Sequence, residues 1–315
     1  MNNSIAILLA SAILLLLSVC AMGEKPSPTS IVTAGEAATA FASTTIPVPW
    51  SRRLALYRAD LAKRIQRKNT ATLRGTVTYA GAVLPTPRDL TLQMQKQGDK
   101  DHCLKGDTLS QEWIISRDKG VANVVVFLKA PGGNFFQVPD NKRYRTDTIT
   151  MDQPFCAFKP GVVAFNPSYY DTALQKQVKT GQTLKVTNSA PINHNVAWSS
   201  SAIFNTGKNV LLRARDGTLL IDAKPCRDHD AGKEDVLKIS CDIHRWMSAR
   251  VVVLDHPYYA VTDKDGKYEI KDAPANTEVD VVYWHESMGD AINKAPRQKI
   301  KLKRGENTQD FAVGK

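Results

Sequence analysis

The sequence predicts an all-β fold, a Greek-key β-sandwich, and three observations carry that reading. From Leu73 onward, short segments rich in Val, Ile, Thr, Tyr and Leu follow one another. Gly, Pro, Asn and Asp separate them at close intervals, which is the signature of many strands joined by tight turns. The composition, 43% hydrophobic and 23% charged over 315 residues, supports a packed core in one large or two modest domains.

The chain opens with MNNSIAILLASAILLLLSVCAMG. An apolar run ending in small residues, with Ala21-Met22-Gly23 before Glu24, reads as a secretory signal peptide over 1–23. LSVC, Leu17 to Cys20, offers a less favoured alternative, a lipid anchor at Cys20, because Val19 is large for the position before the cysteine. An uncleaved anchor is a third reading. No later segment approaches the roughly 20 apolar residues of a membrane span. The protein is therefore expected to be periplasmic or secreted, in an oxidising compartment.

Residues 24–49, rich in Ser, Thr, Ala and Pro, read as a flexible linker. A basic amphipathic helix is expected over 50–72, with Trp50, Leu54, Tyr57, Leu61 and Ile65 on one stripe. Seven basic residues against Asp60 surround that stripe between Trp50 and Lys68. The preferred reading packs the helix on the folded domain; the alternative is peripheral contact of 50–68 with an anionic membrane. The net charge is +11, and residues 294–304 hold six basic residues and no acid. With no nucleic-acid motif in an exported chain, such an excess points to an acidic protein partner or an anionic membrane.

The strands expected in 73–255 are LRGTVTYAG, LTLQMQK, WIISR, VANVVVFLKA, TDTITM, GVVAF, TLKVTN, NVLLRA, VLKIS and ARVVVLD. Residues 256–315 add YAVTD, KYEIKD, EVDVVYW and QKIKLKR as a β-hairpin extension. Within it VTDKDGKYEI reads as a hairpin turned at Asp265-Gly266. The sequence leaves open whether 256–315 is a module of its own or completes the same sandwich.

One stretch carries chemistry. CDIHRWM, 241–247, is the loop between VLKIS and ARVVVLD. A short loop fixed at both ends brings Cys241, His244 and Met247 to one spot, where a helix or strand would spread them over different faces. Thiolate, imidazole and thioether suit copper, and a Cys with two His and a weak axial Met makes a blue-copper electron-transfer site. The second histidine must come from elsewhere. His194, after the strand TLKVTN and a Pro-containing turn, is the best candidate, and Asn195 beside it is placed to hydrogen-bond to the Cys241 loop. His102, His229, His256 and His285 read as surface or packing residues.

HNV at 194–196, C-x-x-H-x-x-M at 241–247 and the following ARVVVLD resemble the cupredoxins, with a ligand loop similar to the amicyanin type. The resemblance spans roughly 180–255. It implies one type 1 copper held by His194, Cys241 and His244 in the equatorial plane and Met247 on the axis. HPYYAVTDKDGKYEI and VVYWHE resemble large secreted bacterial plastocyanin/azurin-like proteins, some of them labelled methylamine-utilisation proteins. HPYYAVTDKDGKYEI also resembles carboxypeptidase-regulatory-like sandwiches, and residues 73–85 echo their opening strand. The implied function is an exported carrier of electrons, not an enzyme, that serves a redox protein partner. His244 would be the electron's exit, with Asp242, Arg245 and Trp246 around it. Two other functions remain beside it: copper delivery in the envelope, and a metal-free binding module.

The cysteines bear on that choice. With Cys20 gone with the signal, four remain and allow three full pairings. If Cys241 is a ligand, Cys103–Cys156 is the expected disulfide and Cys226 is left free. In the metal-free reading, Cys226 pairs with Cys241. Zinc competes for Cys and His but takes thioether poorly. No Ser/His/Asp or paired-carboxylate pattern supports hydrolase chemistry.

Overall fold

The computed structural model describes residues 69–200, 205–230 and 232–314. The signal segment 1–23, the linker 24–49 and the helical stripe through residue 68 lie outside the described residues.

The first strands are β1 (Thr70–Tyr79), β2 (Val125–Lys129), β3 (Thr148–Met151) and β4 (Val162–Phe165). A ribbon follows, β5 (Ser168–Asp171) and β6 (Lys176–Lys179), then β7 (Thr183–Asn188), β8 (His194–Ser200), β9 (Lys208–Leu212) and β10 (Gly217–Ile221). The rest are β11 (Asp235–Ser240), β12 (Ser248–Val253), β13 (Tyr259–Val261), β14 (Lys267–Pro274) and β15 (Thr277–Trp284). Last come β16 (Arg297–Leu302), β17 (Gly305–Thr308) and β18 (Phe311–Val313). Two short helices, α1 (Thr91–Gln95) and α2 (Lys100–Cys103), fall between β1 and β2.

Beside the β5–β6 ribbon, these strands stack as four sheets with three apolar cores between them. The first sheet is β14-β1-β17 with β18 also on β1, and the second is β13-β2-β15-β16. The third is β4-β12-β11-β8-β9 and the fourth β10-β7-β3. The alternation of side chains along a strand assigns each residue to a core. On β2, Val126 and Leu128 face the first core, while Val125 and Phe127 face the middle one. On β12, Val252 faces the middle core, and Ala249, Val251 and Val253 face the third. Val162 and Ala164 on β4 do the same against Val163 and Phe165. The unbroken apolar runs VVVFL, VVAF and VVV are therefore strands buried on both faces.

Several expectations need correction. The proposed boundary at 255/256 cuts through a sandwich: β1 pairs with β14 and β17, and β2 with β13 and β15. Chain ends far apart in sequence close one module, and the segment between them folds into the other. Thr70, Ala71 and Thr72, assigned to the basic helix, are strand residues paired along β14 and β17. LTLQMQK is the helix α1: Asp89 Oδ1 accepts the Thr91 N–H at 2.8 Å, and Leu90 and Met94, one turn apart, are both buried. WIISR forms only an isolated bridge, Ile115 to Val121. β13 and β14 belong to different sheets, so Asp263–Lys267 is a corner between them. Gly266 stands there at φ +75°, and an added Cβ would lie 2.4 Å from the Val77 carbonyl oxygen. The pairing is also mixed, with β12·β4, β3·β7 and β1·β17 parallel.

Phe127 and Trp284 fill the middle core, each fully buried, and the Trp284 indole donates to the Gly289 carbonyl at 2.9 Å. Trp284→Ala is expected to cost about 3–5 kcal/mol and to lower both sandwiches in a single denaturant transition; two separated transitions would show that the middle core does not couple them. His285 beside it is fully buried, stacked 4.1 Å from Trp113, and burial pushes its pKa down to about 4. Its folded pKa lies below the unfolded value, so the unfolded chain protonates first as pH falls. Its contribution is full above about pH 6.5 and is lost toward pH 4, about 3 kcal/mol in all. His285→Gln should flatten the stability–pH curve over that window, read from urea midpoints.

Candidate metal centre

Three elements meet at one end of the third sheet. β11 and β12 pair from Asp235–Val253 to Ser240–Ser248, so the loop 241–247 leaves a fully registered hairpin. Within the loop the Met247 N–H donates to the His244 carbonyl at 2.9 Å, and the Cys241 N–H to the Met247 carbonyl at 3.4 Å. β8 runs beside β11, with Ala197 opposite Ser240, so His194 at the start of β8 arrives next to Cys241. The turn before it is held by Asn188, whose amide donates to the carbonyls of Ile192, Leu212 and Arg213 at 2.9, 3.0 and 2.9 Å.

Asn195 joins the two ligand segments. Its Oδ1 accepts the Asp242 N–H at 2.7 Å and the Ile243 N–H at 3.2 Å, and its own N–H points at Cys241 Sγ at 3.5 Å. Its Nδ2 donates to Asn209 Oδ1 at 2.6 Å on β9. An asparagine serves here because it accepts and donates at once.

The result is a buried triangle of donors. His194 Nδ1 and His244 Nδ1 lie 3.0 Å apart, and Cys241 Sγ lies 3.9 Å from the first and 4.0 Å from the second. A point equidistant from the three sits about 2.1 Å from each, close to ordinary metal–imidazole and metal–thiolate bond lengths. His194 and His244 are fully buried and Cys241 is 1% exposed. Burial, then the neighbouring His244, pushes His194 down to about 4, and burial lowers His244 against the pull of Asp99. Both rings are therefore neutral near pH 7. Two neutral rings with Nδ1 atoms this close need a shared proton or a cation between them. The residues thus fit a soft one-centre metal site of one thiolate and two imidazoles. Met247 is buried in the same loop, with its thioether chemically suited to a weak fourth bond.

The surroundings of His244 and Trp246 differ from the sequence expectation. His244 is not an exposed exit: α2 and the turn before it lie over the ring, and Asp99 Oδ2 meets His244 Nε2 at 3.2 Å. Trp246 is buried too, its indole donating to the Cys156 carbonyl at 3.0 Å, while Asp242, Ile243 and Arg245 are exposed. Cys226 is free, as the copper reading expects, and the Cys226–Cys241 disulfide of the metal-free reading is not formed. The Cys226 thiol hydrogen-bonds to Asp255 Oδ2 at 3.5 Å, and burial pushes its pKa far up. Cys103 and Cys156 are disulfide-bonded. His102 bonds to the Pro154 carbonyl, His229 is exposed, and His256 and His285 are buried away from the triangle. Asp99, Asn188 and Asn209 are the site residues that spacing does not reveal. Asn188 carries a weak signal, an Asn opening a Pro-containing turn; Asp99, 145 residues from His244, carries none.

No family model matches the chain, and no curated protein matches it. Among solved structures, a mutant of amicyanin in its Cu(I) form is 13% identical over 41% of this chain and 98% of that one, at a TM-score of 0.24. A Cu-containing nitrite reductase from Thermus scotoductus SA-01 is 13% identical over 34% of this chain and 22% of that one, at 0.25. A purple cupredoxin from Nitrosopumilus maritimus is 17% identical over 33% and 98%, at 0.21. At these values the likeness is partial, and the site is read from its own geometry.

Asn195→Ala leaves two loop N–H groups without their acceptor. It is expected to cost about 1–3 kcal/mol and to weaken metal binding about 10–100-fold, measured by chelator competition. Unchanged affinity would remove Asn195 from the site.

Proposed function

We propose that this protein is an exported type 1 copper protein that carries single electrons between redox partners. The observation that carries the reading is the buried triangle of Cys241 Sγ, His194 Nδ1 and His244 Nδ1 with sides of 3.9, 4.0 and 3.0 Å. Copper held there supplies one-electron chemistry between Cu(I) and Cu(II). The residues present a soft thiolate, two neutral imidazoles and a thioether-bearing loop, and they exclude water from all three strong donors. The β11–β12 register, the Met247 backbone bonds and Asn195 hold the donors in place before any metal arrives. Preorganised donors of that kind need little rearrangement when the charge at their centre changes. Burial of every strong donor also favours a resident metal over one handed on to an acceptor.

The remaining parts follow the same reading. The apolar leader delivers the chain to the periplasm or beyond, and the basic excess suits an acidic redox partner. The module built from β1, β2 and β13–β18 serves in this reading as scaffold to the copper-bearing one.

Copper-loaded protein should show an intense visible thiolate-to-copper band, and Cys241→Ser should abolish it. A colourless protein that still binds copper one to one would overturn the electron-carrier reading in favour of storage or delivery.

A further inference from the structure

We infer that Asp99 is a positioning residue of the metal centre, held over His244 by a cover that the Cys103–Cys156 disulfide fastens. The inference rests on the copper reading above for its consequence, but its geometry stands without it. His244 is fully buried, yet its outer nitrogen Nε2 has a partner, Asp99 Oδ2 at 3.2 Å. That carboxylate belongs to a segment 145 residues earlier in the chain, brought there by the fold alone.

The cover is fastened around the ring at several points. Asp99 begins the turn of α2, where its carbonyl accepts the Cys103 N–H at 3.0 Å, so Asp99 and Cys103 are locked one helical turn apart. Cys103 is bonded to Cys156, and the donor atoms of Cys103, Cys156 and His244 all lie within 4.8 Å of one another. The Cys156 carbonyl in turn accepts the Trp246 indole N–H from the ligand loop at 3.0 Å. Next to Cys103, His102 Nε2 bonds to the Pro154 carbonyl at 2.8 Å. The disulfide thus ties the turn carrying Asp99 to the segment that grips Trp246.

The consequence follows from imidazole chemistry. A carboxylate at Nε2 keeps the ring proton on that nitrogen, which leaves the lone pair on Nδ1, the atom facing His194 and Cys241. The same hydrogen bond makes Nδ1 a stronger donor, which favours the more highly charged metal state. Asp99 therefore selects the ligating tautomer of His244 and biases the centre toward its oxidised form.

The test uses the full mature protein with its disulfide verified by intact mass. Asp99→Asn, Asp99→Glu and Asp101→Asn are compared, Asp101 being an exposed acid on the same turn. In copper-loaded protein, Asp99→Asn should weaken Cu(II) binding about 10-fold with a smaller effect on Cu(I), so that the reduction potential rises. Asp99→Glu should recover part of the loss, and Asp101→Asn should behave as wild type. In metal-free protein, nitrogen NMR should show His244 protonated at Nε2 in wild type and a tautomer mixture in Asp99→Asn. If Asp99→Asn matches Asp101→Asn in both potential and tautomer, the inference is wrong. If wild type shows the expected tautomer but no thiolate-to-copper band, the copper reading fails while the positioning role of Asp99 stands.

Discussion

The central strands of two of the four stacked sheets have an apolar core on each face, and the rest of the structure depends on that constraint. The sheet of β2 and β15 lies between the first and middle cores, and the sheet of β4, β11 and β12 between the middle and third. Every residue of VVVFL and VVAF must then be apolar, since both sides of those strands are dry. Burying side chains of that size contributes about 1.5–3 kcal/mol each, and here the gain comes from both faces of one strand. A strand packed from both sides has little freedom to shift, and β11 and β12 are held so at their far ends, where Val236 and Val252 face the middle core and Leu237, Val251 and Val253 the third; their unbroken register carries that order to the loop. The loop between them inherits fixed ends.

That rigidity is what turns the loop into a site. Cys241 and His244 are placed by the β11–β12 register and by the loop's own backbone bonds. His194 is placed by β8, the next strand in the same sheet. Asn195 then couples the two segments directly, because its amide oxygen takes both N–H groups that follow Cys241. Burial has a second effect beyond position. It keeps both imidazoles neutral near neutral pH, so each ring has a lone pair to offer and no imidazolium charge opposes a cation there.

The part of the chain between β1 and β2 acts on the site from outside. α1 contributes Met94 to the third core, and α2 brings Asp99 and the disulfide to His244. The centre is consequently enclosed by its own chain, with exposed Asp242, Ile243 and Arg245 beside it. Cys226 plays no part there. Its thiol is buried against Asp255, with Glu234 and Lys129 paired close by at 2.9 Å, so it is neither a disulfide partner nor a ligand.

The sequence by itself determined the class of fold and the donor set. Period-two and doubly apolar segments are local patterns, and CDIHRWM and HNV announce thiolate and imidazole at strand ends because short loops have few ways to point three side chains. It also identified Asn195, since an amide next to a ligand has only nearby backbone to meet. Short polar strands such as β5, β6 and β17 escaped notice because their side chains carry no periodic apolar signal. The helix in LTLQMQK was hidden by β-like alternation; Asp89 accepting the Thr91 N–H, and Leu90 and Met94 buried one turn apart, decided it. Only the tertiary structure decided which strands close which sandwich, because β1 pairs with segments nearly two hundred residues away and the register depends on both partners. Only it placed Asp99 on His244. A contact of that kind is set by how a whole segment packs, and no spacing within the chain records it.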